Sequence, residues 1–511
     1  MRLSAERHPI DMDTGLGVRS QASASETVRG ERLGRFYTIL AIAGIALLAV
    51  RRWLLVGSYP PGLDGAQWLA LGRGLHGFGR STDGAYAPLV PILATLMESI
   101  AGPLTTVRLL AALSGLAISL SVWFVARDSL GPVWGLIAAA IVVPASALVE
   151  PILFGGYPQQ LALTAGVVAL WASCRYLVTA DHRGLWVAGI SGLVAATAHH
   201  IYFPVFALAI LVATGLALSE RQVRARGTRV GLLAMALAPA FATFMVLAGS
   251  FMRAGYAAPL PASARSSINA WAYGTRESPM LWVLVLLIGA LSLAVESRNR
   301  VSVAWLFSVP LLLTGGLLFL VSGQPRLLSP VIIGAAIAAG LGAKRVSAFG
   351  PRARVVTLVV ALAIAASLFV RADRAASGFA NFYHVVDESL VRAATAIEAD
   401  GHVGAVAVRQ DRRGWPIGWW FEALLLQPVI VGSDPRWLAF PDEWRHAQLA
   451  ETLFNGGLSA AELRQRATST GVRYLVVAKW DWIGWERWLR QPDFPVASIY
   501  DDERFLVLRL T

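Results

Sequence analysis

Cysteine occurs once in the 511 residues, at Cys174, so no disulfide can close within the chain and no cysteine-based metal site can be built. Any exported part must hold itself together by packing. Charge is scarce too: 15% of residues are charged against 56% hydrophobic, and the mean hydropathy is +0.57. That excludes an ordinary soluble enzyme. The chain has no Gly-x-x-x-x-Gly-Lys-Ser/Thr loop, so ATP-driven transport lacks its engine, and no glycine-rich dinucleotide fingerprint follows a strand. No short-period repeat or low-complexity tract stands out.

What is present is apolar sequence of transmembrane length. Segments near 36–56, 104–126, 132–149, 161–179, 185–201, 203–219, 230–251, 280–297, 301–322, 328–343 and 355–371 read as about eleven spans. The formal charge of +12 does not point to nucleic acid, because of where it sits. Residues 372–511 carry 15 Lys and Arg against 18 Asp and Glu, whereas residues 1–371 carry 29 against 14. The basic excess belongs to the membrane part. Residues 1–35, with Arg2, Arg7, Arg19, Arg29, Arg32 and Arg35, read as a disordered cytoplasmic tail leading into an uncleaved helix. Arg51 and Arg52 interrupt the first span near its far end, where they are expected to snorkel.

With the N-terminus inside, the cytoplasmic loops hold Arg127, Arg183, Arg221, Arg224, Arg226, Arg298, Arg300, Lys344, Arg345, Arg352 and Arg354, as the positive-inside rule requires. An odd number of spans then places residues 372–511 outside, in a multi-pass protein of the plasma membrane. The opposing loops are about 57–103, 150–160, 253–279 and 323–328. The first is too long for a simple turn, and its stretches Asp64 to Leu75 and Tyr86 to Ile100 have the spacing of helices lying along the interface. In the C-terminal segment, strand-like runs at Val403–Val408, Pro428–Val431, Val472–Ala478 and Phe505–Leu510 alternate with helical Val385–Glu398 and Ala447–Thr470. This reads as a water-soluble α/β domain on an α-helical polytopic membrane protein.

Acidic groups on the outer side are few: Asp64, Asp83, Glu98, Glu150 and Glu277. Asp64 stands in Pro60-Pro61-Gly62-Leu63-Asp64-Gly65-Ala66-Gln67-Trp68, a fixed turn before a helix, where its plain role is an N-cap. With Trp68 and Tyr86-Ala87-Pro88-Leu89-Val90-Pro91 behind it, the loop resembles the first outer loop of the GT-C superfamily of membrane glycosyltransferases. That resemblance implies a first-loop carboxylate acting as general base on an acceptor hydroxyl while a sugar leaves a polyprenyl phosphate, with Tyr86 among the substrate-binding groups. Many such families carry an acidic pair here, whereas Asp64 is followed by Gly65; Asp83 is a weak candidate for the second acid.

Gln324-Pro325-Arg326-Leu327-Leu328-Ser329-Pro330 is a short outer loop in which Arg326 is either an interface anchor or a phosphate clamp. It is similar to the last-loop Arg motif that contacts the lipid phosphate in GT-C enzymes. Ala198-His199-His200-Ile201-Tyr202 ends the fifth span, and a histidine there is frequent in polyprenyl-dependent relatives, which implies a donor-side role for His199 or His200. Adjacent helical side chains point about 100° apart, which argues against a shared metal. Glu150-Pro151-Ile152-Leu153-Phe154-Gly155-Gly156-Tyr157-Pro158-Gln159-Gln160 reads first as a tight turn. Similar loops occur in bacterial GT-C-like membrane proteins labelled as related to 6-pyruvoyl-tetrahydropterin synthase, a label that implies no pterin chemistry; Tyr157 is the substrate-binding candidate.

Trp415-Pro416-Ile417-Gly418-Trp419-Trp420-Phe421-Glu422, Asp434-Pro435-Arg436-Trp437 and Trp444 offer aromatic faces beside carboxylates, which suits carbohydrate. Interface anchoring and core filling are the plainer roles, and Trp419 and Trp420 are the substrate-binding candidates. The stretch also resembles the tail of the same bacterial group. Three readings result. One is a glycosyltransferase with a polyprenyl-phosphate sugar donor and an envelope glycan, lipid or protein acceptor, in contact with membrane lipid but not nucleic acid. The others are a lipid-linked-glycan transporter or flippase, for which mid-bilayer charge and internal symmetry are not clear in the sequence, and a catalytically inactive envelope scaffold of the same fold. No cofactor is required by the sequence, and a divalent metal is left open.

Overall fold

The computed structural model describes residues 15–74, 86–219, 227–255, 267–296, 302–455, 457–479 and 493–511, with the backbone alone at 15–34 and at position 49. Expectations for Arg2, Arg7, Asp83, Arg221, Arg224, Arg226, Arg298 and Arg300 lie outside the described residues.

Each apolar segment is helical. In chain order come α1 (Gly15–Val56), the two first-loop helices α2 (Asp64–Arg73) and α3 (Leu89–Ala101), then α4 (Pro103–Leu130), α5 (Pro132–Val142), α6 (Ser146–Phe154), α7 (Tyr157–Thr179), α8 (His182–Ala198), α9 (Tyr202–Ser219) and α10 (Gly227–Arg253). A short α11 (Ser267–Gly274) precedes α12 (Pro279–Glu296), α13 (Val303–Ser322), α14 (Leu328–Val346) and α15 (Pro351–Phe382). Among the described residues nine helices are long and apolar enough to cross a bilayer, and the pair α5 and α6, bent by 55°, makes ten if it is one span. The remaining apolar segment is α8, whose 17 residues fall just short of the usual span and pack between α7 and α10. Gly102-Pro103, Gly131-Pro132 and Gly350-Pro351 each end one turn of chain and start the next helix, with proline at a position whose N–H has no helical partner.

Two expectations about the first span change. The helix starts at Gly15, within the segment expected to be a disordered tail, although its membrane-length part begins at Arg35. Arg52 does not snorkel, and Arg51, about half exposed, has an ion-pair partner. Arg51 holds Asp373 of α15 with two hydrogen bonds, at 2.5 and 2.7 Å. Arg52 is buried and donates to the carbonyls of Gly115 and Val143 at 3.1 and 2.7 Å. Val143 stands at the break between α5 and α6, so the guanidinium satisfies a carbonyl near the broken helix end, which lipid could not do.

The C-terminal segment forms α16 (Glu388–Asp400), β1 (Ala405–Val408), α17 (Gly418–Leu424), β2 (Val429–Val431), α18 (Pro441–Leu453), α19 (Ala460–Thr470), β3 (Val472–Ala478), β4 (Val496–Asp501) and β5 (Phe505–Leu510). The strand order is β2-β1-β3-β5-β4, parallel on the β1 side and antiparallel for β3/β5 and β5/β4. Alternation along the strands makes two cores. Ala407, Leu475, Val477, Leu506 and Leu508 face α18 and α19. Val406, Val408, Tyr474, Val476, Phe505 and Val507 belong to a core that also contains Leu63, Ala66, Trp68 and Val107. The sheet and the first loop therefore share one hydrophobic interior. α2, expected along the interface, has Gly65 to Gly72 wholly buried, and α17 packs on it.

Candidate active site

Asp64 opens α2 but does not cap it: Leu63 holds the N-cap position, and Asp64 sits in the first turn, where a carboxylate suits the positive helix end. It accepts no hydrogen bond from the described residues and lines a cavity. Burial pushes its carboxyl up to about 7, the Arg326 charge opposing the rise and the Glu443 charge adding to it.

The second loop presses Asp64 into place. Gly155 has a φ of 100°, and a Cβ there would lie 2.3 Å from the Gly65 nitrogen and 3.1 Å from the Asp64 Cβ, so only glycine fits. Trp68 Nε1 donates to the Gly155 carbonyl at 2.6 Å. The missing first-loop acidic pair has a steric reason. A Cβ on Gly65 would stand 2.7 Å from Val107 Cγ1 and 3.4 Å from the Tyr157 hydroxyl, leaving no room for a second acid.

A second carboxylate arrives from α18 instead. Glu443 is buried, and its Oε2 accepts from the Ala439 and Phe440 nitrogens at 2.8 and 3.1 Å. Its Oε1 accepts from the Tyr86 hydroxyl at 3.3 Å and from Gln67 Nε2 at 3.4 Å, which ties the first loop to the C-terminal unit next to Asp64. Nothing in the sequence singles out Glu443; its local pattern is that of a helix first turn.

Arg326 sits in a 3-10 turn, Pro325–Leu327, just before α14. The Tyr202 hydroxyl donates to its carbonyl at 2.5 Å, and its guanidinium forms no ion pair among the described residues. His199 and His200 follow the end of α8 and are not helical, so the helical argument about their directions does not apply: their rings stack, 4.8 Å apart and 9° from parallel. The Ile201 nitrogen donates to His199 Nδ1 at 3.1 Å, which leaves Nε2 as the protonated nitrogen of the neutral ring. His200 lies against Phe251, with centroids 4.1 Å apart.

These residues surround one cavity of about 380 Å³. Asp64, Tyr86, His199, His200, Arg326 and Trp419 line it, so the sequence candidates from four distant segments meet. Tyr157 and Trp420 do not. Tyr157 is buried beneath Gly65, with a hydroxyl that has no hydrogen-bond partner among the described residues, and Trp420 is fully buried with Nε1 donating to the Gly62 carbonyl at 2.9 Å. Glu150 and Trp437 also line the cavity. Among the described residues no group of three or more His, Cys, Asp or Glu side chains could hold a metal ion. With the Asp64 carboxylate and the Arg326 guanidinium both lining it, the cavity can take a proton at one wall and an anion at another.

No family model matches the chain, and no curated protein matches it in sequence. Solved structures do. ArnT from Cupriavidus metallidurans, bound to undecaprenyl phosphate, superposes with a TM-score of 0.59 at 14% identity over 92% of this chain and 97% of that one. The oligosaccharyltransferase AglB from Archaeoglobus fulgidus, in complex with an inhibitory peptide and a dolichol-phosphate, gives 0.53 at 13% identity over 86% and 69%. The arabinofuranosyltransferase AftD from Mycobacteria gives 0.60 at 16% identity, covering 92% of this chain but 40% of that one. At these identities the likeness is one of fold: the chain shares the overall fold of these three solved structures.

Proposed function

We propose that the chain is a membrane glycosyltransferase that moves a sugar from a polyprenyl phosphate to an acceptor hydroxyl. The observation that carries this is the half-buried Asp64, free of hydrogen bonds from the described residues, in one cavity with Arg326, within a fold of that class. In the reaction the acceptor oxygen attacks the anomeric carbon and its proton passes to the Asp64 carboxylate. The bond from that carbon to the phosphate oxygen breaks, and the polyprenyl phosphate leaves with the electron pair. Arg326 offsets the charge that develops on the phosphate, and the His199 and His200 rings border the same region. A carboxyl with a pKa of about 7 is well matched to taking a proton near neutrality.

The N-terminus is proposed to be cytoplasmic and the C-terminal unit extracytoplasmic. Arg127 of α4, Arg183 of α8, and Lys344 and Arg345 of α14 stand at the helix ends opposite those that lead to the first loop, the histidines and Arg326. By the positive-inside rule this supports a cavity on the outer face. Trp419 and Trp437, which the C-terminal unit adds to the cavity wall, suit an acceptor that carries sugar.

The test is turnover of undecaprenyl-phosphate sugars by reconstituted protein. Arg326→Ala is expected to raise the donor KM at unchanged membrane insertion, by about tenfold or more for a lost charge-assisted phosphate contact. Unchanged turnover at limiting donor would remove Arg326 from the site.

A further inference from the structure

The reaction above leaves Glu150 unused. It lies on α6, beyond the break from α5, is 8% exposed, and lines the cavity. Its two oxygens are in different situations. Oε1 accepts from the Tyr383 hydroxyl at 2.7 Å and from the Tyr273 hydroxyl, the two hydroxyls being 3.4 Å apart. The Arg276 guanidinium lies 4.5 Å from the centre of the Phe379 ring and 6.0 Å from that of Tyr273, so positive charge stands on the same side. Oε2 accepts no hydrogen bond from the described residues. A carboxylate withdrawn from bulk water with half its acceptor capacity unfilled is costly unless a ligand or water supplies a donor.

Neighbouring contacts say which part of the ligand that is. The Ser329 hydroxyl on α14 donates to the carbonyl of Ala147, one turn before Glu150, at 2.9 Å. Arg326 sits in the turn that leads into that same helix, and its carbonyl is held by Tyr202. Glu150 therefore stands on the Arg326 wall. The group nearest a phosphate held by Arg326 is the sugar attached to it, and a sugar offers hydroxyl donors. We propose that Glu150 Oε2 accepts a hydrogen bond from a hydroxyl of the sugar on the donor, so that the site distinguishes sugar-bearing polyprenyl phosphate from the bare carrier. The tyrosine pair and Arg276 hold the carboxylate so that its other oxygen faces the sugar. This rests on the donor reading given above.

The experiment is equilibrium binding by the full-length protein in nanodiscs, with undecaprenyl phosphate alone and with undecaprenyl phosphate carrying a hexose or a pentose. Wild type is expected to prefer at least one sugar-bearing form by about tenfold or more, from a hydrogen bond to a charged acceptor. Glu150→Ala is expected to abolish that preference while affinity for the bare carrier stays within about twofold. If Glu150→Ala fails to fold, Glu150→Gln carries the test. The tyrosine hydroxyls hold its carbonyl, so an amide NH₂ replaces the acceptor toward the cavity and the preference falls. Retained preference in the variants, or equal loss for bare and sugar-bearing carrier, overturns the assignment of Glu150. Wild type that binds the bare carrier through Arg326 without discrimination also overturns it, with the donor reading intact. Wild type that binds neither form overturns both.

Discussion

Asp64 shows how the surroundings of one carboxylate change its acidity. In the proposed role of base it must be deprotonated, and burial has moved its carboxyl to about 7. The rate of transfer is therefore expected to climb as pH rises through about 7 and to level above it, whereas an ordinary carboxylate would reach its plateau before pH 6. Glu443→Gln removes a negative charge close by, so the rising limb should move to lower pH. A pH profile of kcat/KM for the two proteins checks this, and coincident limbs would show that Glu443 only caps α18 and links the loop. Asp64 was legible in the sequence because prolines and glycines fix a turn ahead of it. Glu443 was not, since it meets Gln67 from 376 residues away and carries no local mark beyond a helix first turn. Trp419 and Trp420 were inseparable for a different reason: neighbours on a helix face about 100° apart, and only packing decides which one reaches the cavity.

At the scale of elements, the bent pair α5 and α6 places Glu150 beside the cavity, and Arg52 is what makes the bend tolerable. Its guanidinium fills the Val143 carbonyl and also holds that of Gly115 on α4. Arg52→Met keeps length and loses the donors, so the break is left with an unsatisfied carbonyl in apolar surroundings. The expected cost is about 1–3 kcal/mol, read as a lower unfolding temperature in detergent. An unchanged temperature would mean water or lipid serves the carbonyl equally well. Spans were legible because length and apolarity suffice to mark them, but which way Arg52 turns depends on a helix break that hydropathy does not show. β4 was missed because Val496–Asp501 is a partly exposed edge strand without alternation. α17 was missed because its tryptophans look like anchors until the core they fill is seen.

Across the whole molecule, the geometry of the candidate site depends on a hydrophobic interior shared by the first loop and the C-terminal sheet. Gly62 illustrates the joint: its nitrogen donates to the Tyr383 carbonyl at 2.8 Å and its carbonyl accepts from Trp420. α15 runs unbroken from Pro351 to Phe382, so the last span continues directly into the unit that closes the cavity. The layout of membrane helices with a C-terminal α/β unit was readable from the sequence, but the joint was not, because it brings together segments separated by hundreds of residues. An orientation reporter fused after Thr511 should be active only on the outer face, and an inside signal would reverse the proposed topology.

The measurement that bears most directly on transferase function is the envelope glycan and glycolipid profile of a null strain complemented with wild type or Asp64→Asn at matched protein levels. The account predicts that wild type restores a sugar that the null strain lacks and that Asp64→Asn, which keeps the shape of the side chain but accepts no proton, does not. Full restoration by Asp64→Asn would contradict it.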